Sequence, residues 1–504
     1  MARRKKLYEG KAKIIYEDAA STAMAMAYLQ KSEKQELQYY LKALYFSEKN
    51  KASVLSEAVA ISNAQNFAGI PDSIIQEDTN YKIVISAVEN RILETRNRSV
   101  LLKLNDLLFE LNEKYRFFSS NLEKKYPKYF EAKYNKSNID FTEIQKTLDD
   151  STAIISYFLG NNNLLIFTVT KDKIEATEKN IEKDFAKKIN KLIKATITGT
   201  SKGFKAYLKL SNYFYDVLIP KSIPTNISKL VILPDGAINL IPFELLTYEK
   251  YSGKLKHFNE YPFLIKKYMC SYFFSGDLYF KSLKYRSNNH QNSWLGIAPV
   301  FKDINSRKIN NVYVNELPGT ETEINNIAEV IRKDSLNKVS ILLNNEATET
   351  NLKNLDLGNY KYVHIATHGT VNIDNPAFSG LLLFPEKEPD DGVLYASEIY
   401  NLKLNSDLVV LSACETGVGK VSKSEGIIGL SRSLLYAGAK NIIVSMWKVA
   451  DNSTAQLMLD FYTNLISKKQ SFRRALHNAK LKMVNSKNNF AHPYFWSPFV
   501  LIGK

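Results

Sequence analysis

Along the first quarter of the chain, apolar residues recur at three- and four-residue steps. Beyond it they gather into short β-branched runs separated by helical stretches. Leu101, Leu104, Leu107, Leu108 and Leu111 form the stripe of an amphipathic helix. Ala23, Ala25, Ala27 and Leu29, followed by Leu37, Tyr40, Leu41, Ala43, Leu44 and Phe46, supply the small and large residues of packed helix pairs. Residues 17–137 are therefore expected to be all-helical, with about five helices. The basic stretch 1–16 before them reads as a short hairpin or an appended leader of unclear role.

The pattern then alternates between strand and helix. In residues 138–290, the apolar runs 153–159 and 164–169 flank Gly160-Asn161-Asn162-Asn163, a hairpin signature. A lysine-rich helix is expected around 177–196, and a buried strand at 230–233. That strand ends in Pro234-Asp235-Gly236, where turn chemistry accounts for Asp235 more cheaply than a catalytic role. Residues 291–504 read as βαβαβ: a strand at 294–298, a helix carrying Ile324, Ile327, Ala328 and Ile331, a strand at 340–343, and two further strands beginning near 361 and 407. Such alternation implies an α/β fold with a mostly parallel sheet and helices on both faces.

The last two strands end unusually. One runs through Val363 and Ile365 into Thr367-His368-Gly369; the other runs through Leu408 to Leu411 into Ser412-Ala413-Cys414-Glu415-Thr416-Gly417. Residues beyond the carboxyl ends of parallel strands line the crevice where α/β proteins bind and react. A histidine and a cysteine at two such ends are what a thiol nucleophile with a nearby base requires. Each also has a plainer reading, as a packed small residue or a hydrogen-bonded core histidine. His364, four residues before His368, would lie about 13 Å from it on a strand, too far to share a metal, and reads as a core or supporting residue. Cys270 sits in an apolar strand without adjacent glycine and reads as packed and inert. His477 reads as a surface residue beside Arg473 and Arg474, while His257, His290 and His492 occupy loop contexts without partners.

Composition narrows the class. The 504 residues are 45% hydrophobic and 12% aromatic, enough for several cores and against disorder. The net charge of +16 is spread along the chain and interleaved with acids, so nucleic acid is an unlikely partner though not excluded. With two cysteines there is no disulfide framework, and no metal or cofactor motif is present. No apolar run is long enough to span a membrane, and a soluble cytoplasmic protein is expected.

The block from His368-Gly369 to Ser412-Ala413-Cys414-Glu415-Thr416-Gly417 resembles the CHAT domain, a branch of the caspase, legumain and separase group of cysteine peptidases. The resemblance continues through Ser424-Glu425-Gly426, Met446-Trp447-Lys448-Val449-Ala450-Asp451 and the closing segment 494–503. Upstream it includes Leu233-Pro234-Asp235-Gly236 and Ile241-Pro242-Phe243-Glu244. It covers roughly residues 140–504. It implies two caspase-like α/β lobes, an inactive one over 138–290 and a catalytic one over 291–504, preceded by a helical region similar to degenerate tetratricopeptide repeats. It implies a catalytic pair of His368 and Cys414, with the backbone N–H groups of Gly369 and Cys414 as oxyanion hole. Asp451 matches an acidic residue that lines the substrate pocket, although an N-cap role explains it equally well. The function implied is a regulated endopeptidase with a protein substrate and a regulatory protein partner at the helical region. The competing reading is a catalytically silent interaction scaffold.

Overall fold

The computed structural model describes residues 2–51, 71–95, 97–126, 140–198, 201–250, 257–283, 293–302, 308–309, 312–334, 338–371, 379–386, 391–412, 414–415, 424–449 and 451–504. Among the described residues four long helices open the chain: α1 (Ala2–Tyr28), α2 (Glu33–Lys51), α3 (Asp72–Glu94) and α4 (Arg98–Lys125). Residues 1–16 are thus no hairpin, since from Ala2 they form the amino-terminal part of α1. A run of Lys, Arg, Ala, Leu and Glu favours helix, and its single Gly10 costs only about 1 kcal/mol. Asn97 caps α4 by accepting the Ser99 N–H at 3.0 Å.

The body is built on one eleven-stranded sheet. Its order is β3 (Ile174–Asn180), β2 (Asn163–Val169), β1 (Thr152–Leu159), β4 (Lys229–Leu233), β5 (Met269–Tyr272), β17 (Phe499–Ile502), β16 (Ile442–Ser445), β14 (Leu408–Leu411), β10 (Tyr362–Ile365), β6 (Ser293–Ala298) and β9 (Lys338–Leu343). β1 and β2 form the expected antiparallel hairpin. The run 177–180, expected to begin a helix, instead completes β3. The helix that follows spans Phe185–Ile197. Strands β6, β9, β10, β14 and β16 are mutually parallel, and the continuous apolar runs of all but the edge strand β9 are buried on both faces. β17 runs antiparallel to β16 and reaches β5 at Ile502 and Tyr272, so the two lobes share one sheet and meet at this strand.

The first two helices belong to this body. Ala20, Met24, Ala43 and Leu44 lie in the same apolar core as β1, β2 and the rest of the sheet. Helices α3 and α4 pair with each other, and the Tyr115 hydroxyl donates to the buried Asp78 at 3.0 Å. Beyond β10 the chain makes a second, four-stranded sheet: β13 (Val393–Tyr395), β12 (Gly380–Leu382), β11 (His368–Thr370) and β15 (Cys414–Glu415). A separate small core of Phe301, Ile309, Val314, Leu317, Leu382 and Val393 packs against it. A two-residue ribbon, β7 (Lys308–Ile309) with β8 (Val312–Tyr313), lies beside that core.

Candidate active site

β10 and β14 are neighbours in parallel register, Val363 beside Val409 and Ile365 beside Leu411. Both leave the large sheet at the same edge. After the break at Ala366 and Thr367, β11 starts at His368. Past Ser412, whose N–H donates to the Ile365 carbonyl at 2.9 Å, β15 starts at Cys414. In the small sheet His368 stands opposite Cys414, and Gly369 opposite Glu415, in parallel register. Neighbouring strands run about 4.8 Å apart, so the two backbones are adjacent. Ala413, Thr416 and Gly417 fall outside the described residues.

The His368 side chain is fully buried. Its ring stacks on Phe301, with centroids 5.4 Å apart and planes 22° from parallel. Nε2 lies 2.9 Å from the Asn315 carbonyl. A carbonyl oxygen only accepts, so Nε2 carries the hydrogen, and in the neutral ring Nδ1 is the basic nitrogen. The loop that supplies Phe301 is strained: Val300 and Phe301 have φ of 49° and 58°, values rare for bulky residues. The Leu317 N–H closes the loop by donating to the Val300 carbonyl at 2.8 Å. Thr367, just before the histidine, donates its hydroxyl to the Leu382 carbonyl and ties β11 to β12. Among the described residues an added Cβ at Gly369 would meet the Gly380 carbonyl alone, at 3.9 Å.

His364 serves the core. Its Nε2 meets Glu323 at 2.8 Å and its Nδ1 the Tyr462 hydroxyl at 3.2 Å, all three buried. This links β10 to helices α5 (Pro318–Arg332) and α7 (Asp451–Tyr462), with α6 (Ser424–Tyr436) between them in sequence. Asp451 is the first residue of α7, and its side chain lies outside the described set.

The other candidates are structural. Asp235 Oδ2 accepts the Leu159 N–H at 2.8 Å, and Gly236 adopts φ +54°, so this is turn chemistry. Cys270 is buried in β5, where burial and the neighbouring Glu244 push its thiol pKa up. His477 is half-buried rather than on the surface, its pKa pushed down to about 4 by burial and by Lys480. His492 also has a setting of its own. Burial between Phe204 and Phe258 lowers its pKa to about 4, and Nδ1 accepts the Tyr494 N–H at 3.1 Å. His257 is exposed, and His290 lies outside the described residues.

Phe301, Asn315 and Glu323 escaped sequence reasoning. Asn315 acts through its backbone carbonyl, which leaves no residue-type signal. Among the described residues no group of three His, Cys, Asp or Glu could hold a metal, and no helix is long and apolar enough to cross a membrane.

Comparison with known proteins bears on this arrangement. Among curated proteins, tetratricopeptide repeat protein 28 is 32% identical in Mus musculus and 35% identical in Homo sapiens, each over 111 residues. That is 22% of this chain, which spans only 4% of those relatives. Among solved structures, the Saccharomyces cerevisiae separase–securin complex matches with TM-score 0.46 and 10% identity, over 97% of this chain and 37% of that one. The Arg-specific cysteine proteinase gingipain R matches with TM-score 0.38 and 11% identity, over 64% of this chain and 74% of that one. The CHAT domain family matches residues 208–504, more than half of the sequence and the whole stretch that carries both strand-end residues. The chain belongs to the CHAT domain family.

Proposed function

We propose that this protein is a cysteine endopeptidase acting through His368 and Cys414. The observation that carries the reading is the backbone register that sets His368 opposite Cys414 beyond two parallel strands. A free thiol with pKa near 8.5 is mostly protonated at neutral pH and needs an adjacent base. His368, its Nε2 hydrogen given to Asn315, offers Nδ1 to take the Cys414 proton. The thiolate then attacks the substrate carbonyl, and the backbone N–H groups of Gly369 and Cys414 receive the negative charge that develops on its oxygen. The imidazolium returns its proton to the leaving amine. Water then hydrolyses the thioester and regenerates the thiol. Asp451, at the head of α7, is the proposed pocket residue and would favour Arg or Lys before the scissile bond through a charge-assisted pair. Protein substrates follow from this chemistry, with control by a partner at the helical region.

One observation favours the second reading, a silent scaffold: the His368 ring has no exposure and is covered by Phe301. A thiol-directed peptide probe separates the two. Labelling confined to Cys414, retained in Cys270→Ala and lost in His368→Ala, is expected of the peptidase. If neither the native chain nor a Phe301→Ala variant is labelled under any activating condition, the scaffold reading stands.

A further inference from the structure

A cleft of about 670 Å³, which has neither His368 nor Cys414 in its described lining, opens against the strands of the first lobe. Thr152, Lys229 and Met269, the first residues of β1, β4 and β5, line it, as does Lys504, just past β17. The facing wall is the turn from Lys468 to Gln470 and the first turn of α8 (Phe472–Val484).

The lining is strongly cationic. Lys229, Lys468, Lys469, Arg473, Arg474 and Lys504 surround the cleft against one carboxylate side chain among the described residues, Asp149. That carboxylate is already engaged. It pairs with Lys229 at 2.7 Å and accepts the Ser151 and Thr152 hydroxyls at 2.8 and 2.7 Å, which holds its pKa well below the usual range. Lys468 donates to the neutral Asn464 oxygen at 2.9 Å, with no carboxylate partner among the described residues. The Arg473 Nε is shut off from solvent with no hydrogen-bond acceptor among the described residues, and burial pushes the guanidinium pKa down. A buried donor left without an acceptor is costly. Lys469 at φ +50° turns the chain so that the start of α8, capped by Ser471, joins the same wall. A helix start adds partial positive charge to the cationic side chains.

We infer that this cleft binds a small, multiply phosphorylated anion. Its volume falls within the range of about 300–1,000 Å³ typical of small-ligand sites. Two arginines offer forked donors that match phosphate oxygens. Tyr279, the one aromatic residue of its described lining, is buried and gives bases little surface on which to stack, so a nucleic-acid strand fits less well.

The test is titration calorimetry of the full chain with sodium tripolyphosphate. One site is expected, with affinity falling about tenfold or more in Arg473→Gln and in the double variant Lys469→Glu/Arg474→Glu. The double variant alters exposed side chains and keeps the test decisive should Arg473→Gln fail to fold, which its thermal transition reports. Absence of binding at millimolar tripolyphosphate overturns the inference, as does unchanged affinity in the folded double variant. Tighter binding of a single-stranded RNA of about 20 nucleotides that displaces tripolyphosphate also overturns it, and assigns the cleft to nucleic acid.

Discussion

The two halves of the large sheet treat their carboxyl edges in opposite ways. At the edge of β1, β4 and β5 the space is filled by a buried ion pair from α2. Lys51 Nζ meets Glu48 at 2.8 Å, the Ser156 hydroxyl at 2.6 Å and the Leu233 carbonyl at 3.1 Å. Glu48 also accepts the Gly276 N–H at 2.6 Å, and both ionic side chains are at most 1% exposed. At the carboxyl edge of β10 and β14 the strands continue into a second sheet that pairs His368 with Cys414. The same architecture thus yields a sealed edge in one lobe and, in the other, a strand extension that sets His368 opposite Cys414. What differs is the segment that follows each strand, a Pro-Asp-Gly turn in one lobe and a two-strand extension in the other.

That contrast is open to attack from both sides. The largest effect is expected at the reactive edge, where Cys414→Ala should lower peptide cleavage by more than about 10⁴-fold with the thermal transition unchanged. At the sealed edge Lys51→Met strands Glu48 without its counter-ion. Its expected cost is about 3–5 kcal/mol in chemical unfolding, most of it recovered by the double variant Lys51→Met/Glu48→Leu. A double variant no more stable than the single one would show that the pair does not fasten the arm.

Next comes Glu349, which accepts the Gly392 N–H beside the small sheet at 2.8 Å. Burial raises its carboxyl pKa to about 7, against a partial lowering by Lys353. The fold therefore favours the protonated form, and that stability is complete below pH 4.5 and lost as pH rises through 7. Up to about 3 kcal/mol is at stake. Glu349→Gln should flatten this slope, as unfolding midpoints measured from pH 4.5 to 8 would reveal. The smallest effect is expected for Asp235→Ala. Losing the Leu159 N–H acceptor should cost about 1–2 kcal/mol and leave peptide cleavage intact. A collapse of activity would make the first lobe a participant in the chemistry.

The hydrophobic pattern made the strands legible because β6, β10, β14 and β16 are buried on both faces and read as unbroken apolar runs. Their endings exposed the His368–Cys414 pair for the same reason: residues placed just past a core strand are fixed by it. The docking of the arm was hidden. Lys51 and Glu48 look like solvated charges on a helix face, and only the fold shows them enclosed. The support of His368 was equally silent, since it rests on a main-chain carbonyl and on a strained loop around Phe301. The cationic cleft draws on Lys229, Lys468, Arg473 and Lys504, positions so far apart in sequence that the lysines appear evenly scattered.

Strand β17 lies between β5 and β16, yet it is translated after every other strand of the sheet. A nascent polypeptide therefore emerges from the ribosome as two unjoined half-sheets. Their apolar borders stay uncovered until residues 499–502 arrive, so lobe assembly is timed to the end of this stretch of synthesis rather than to the appearance of Cys414.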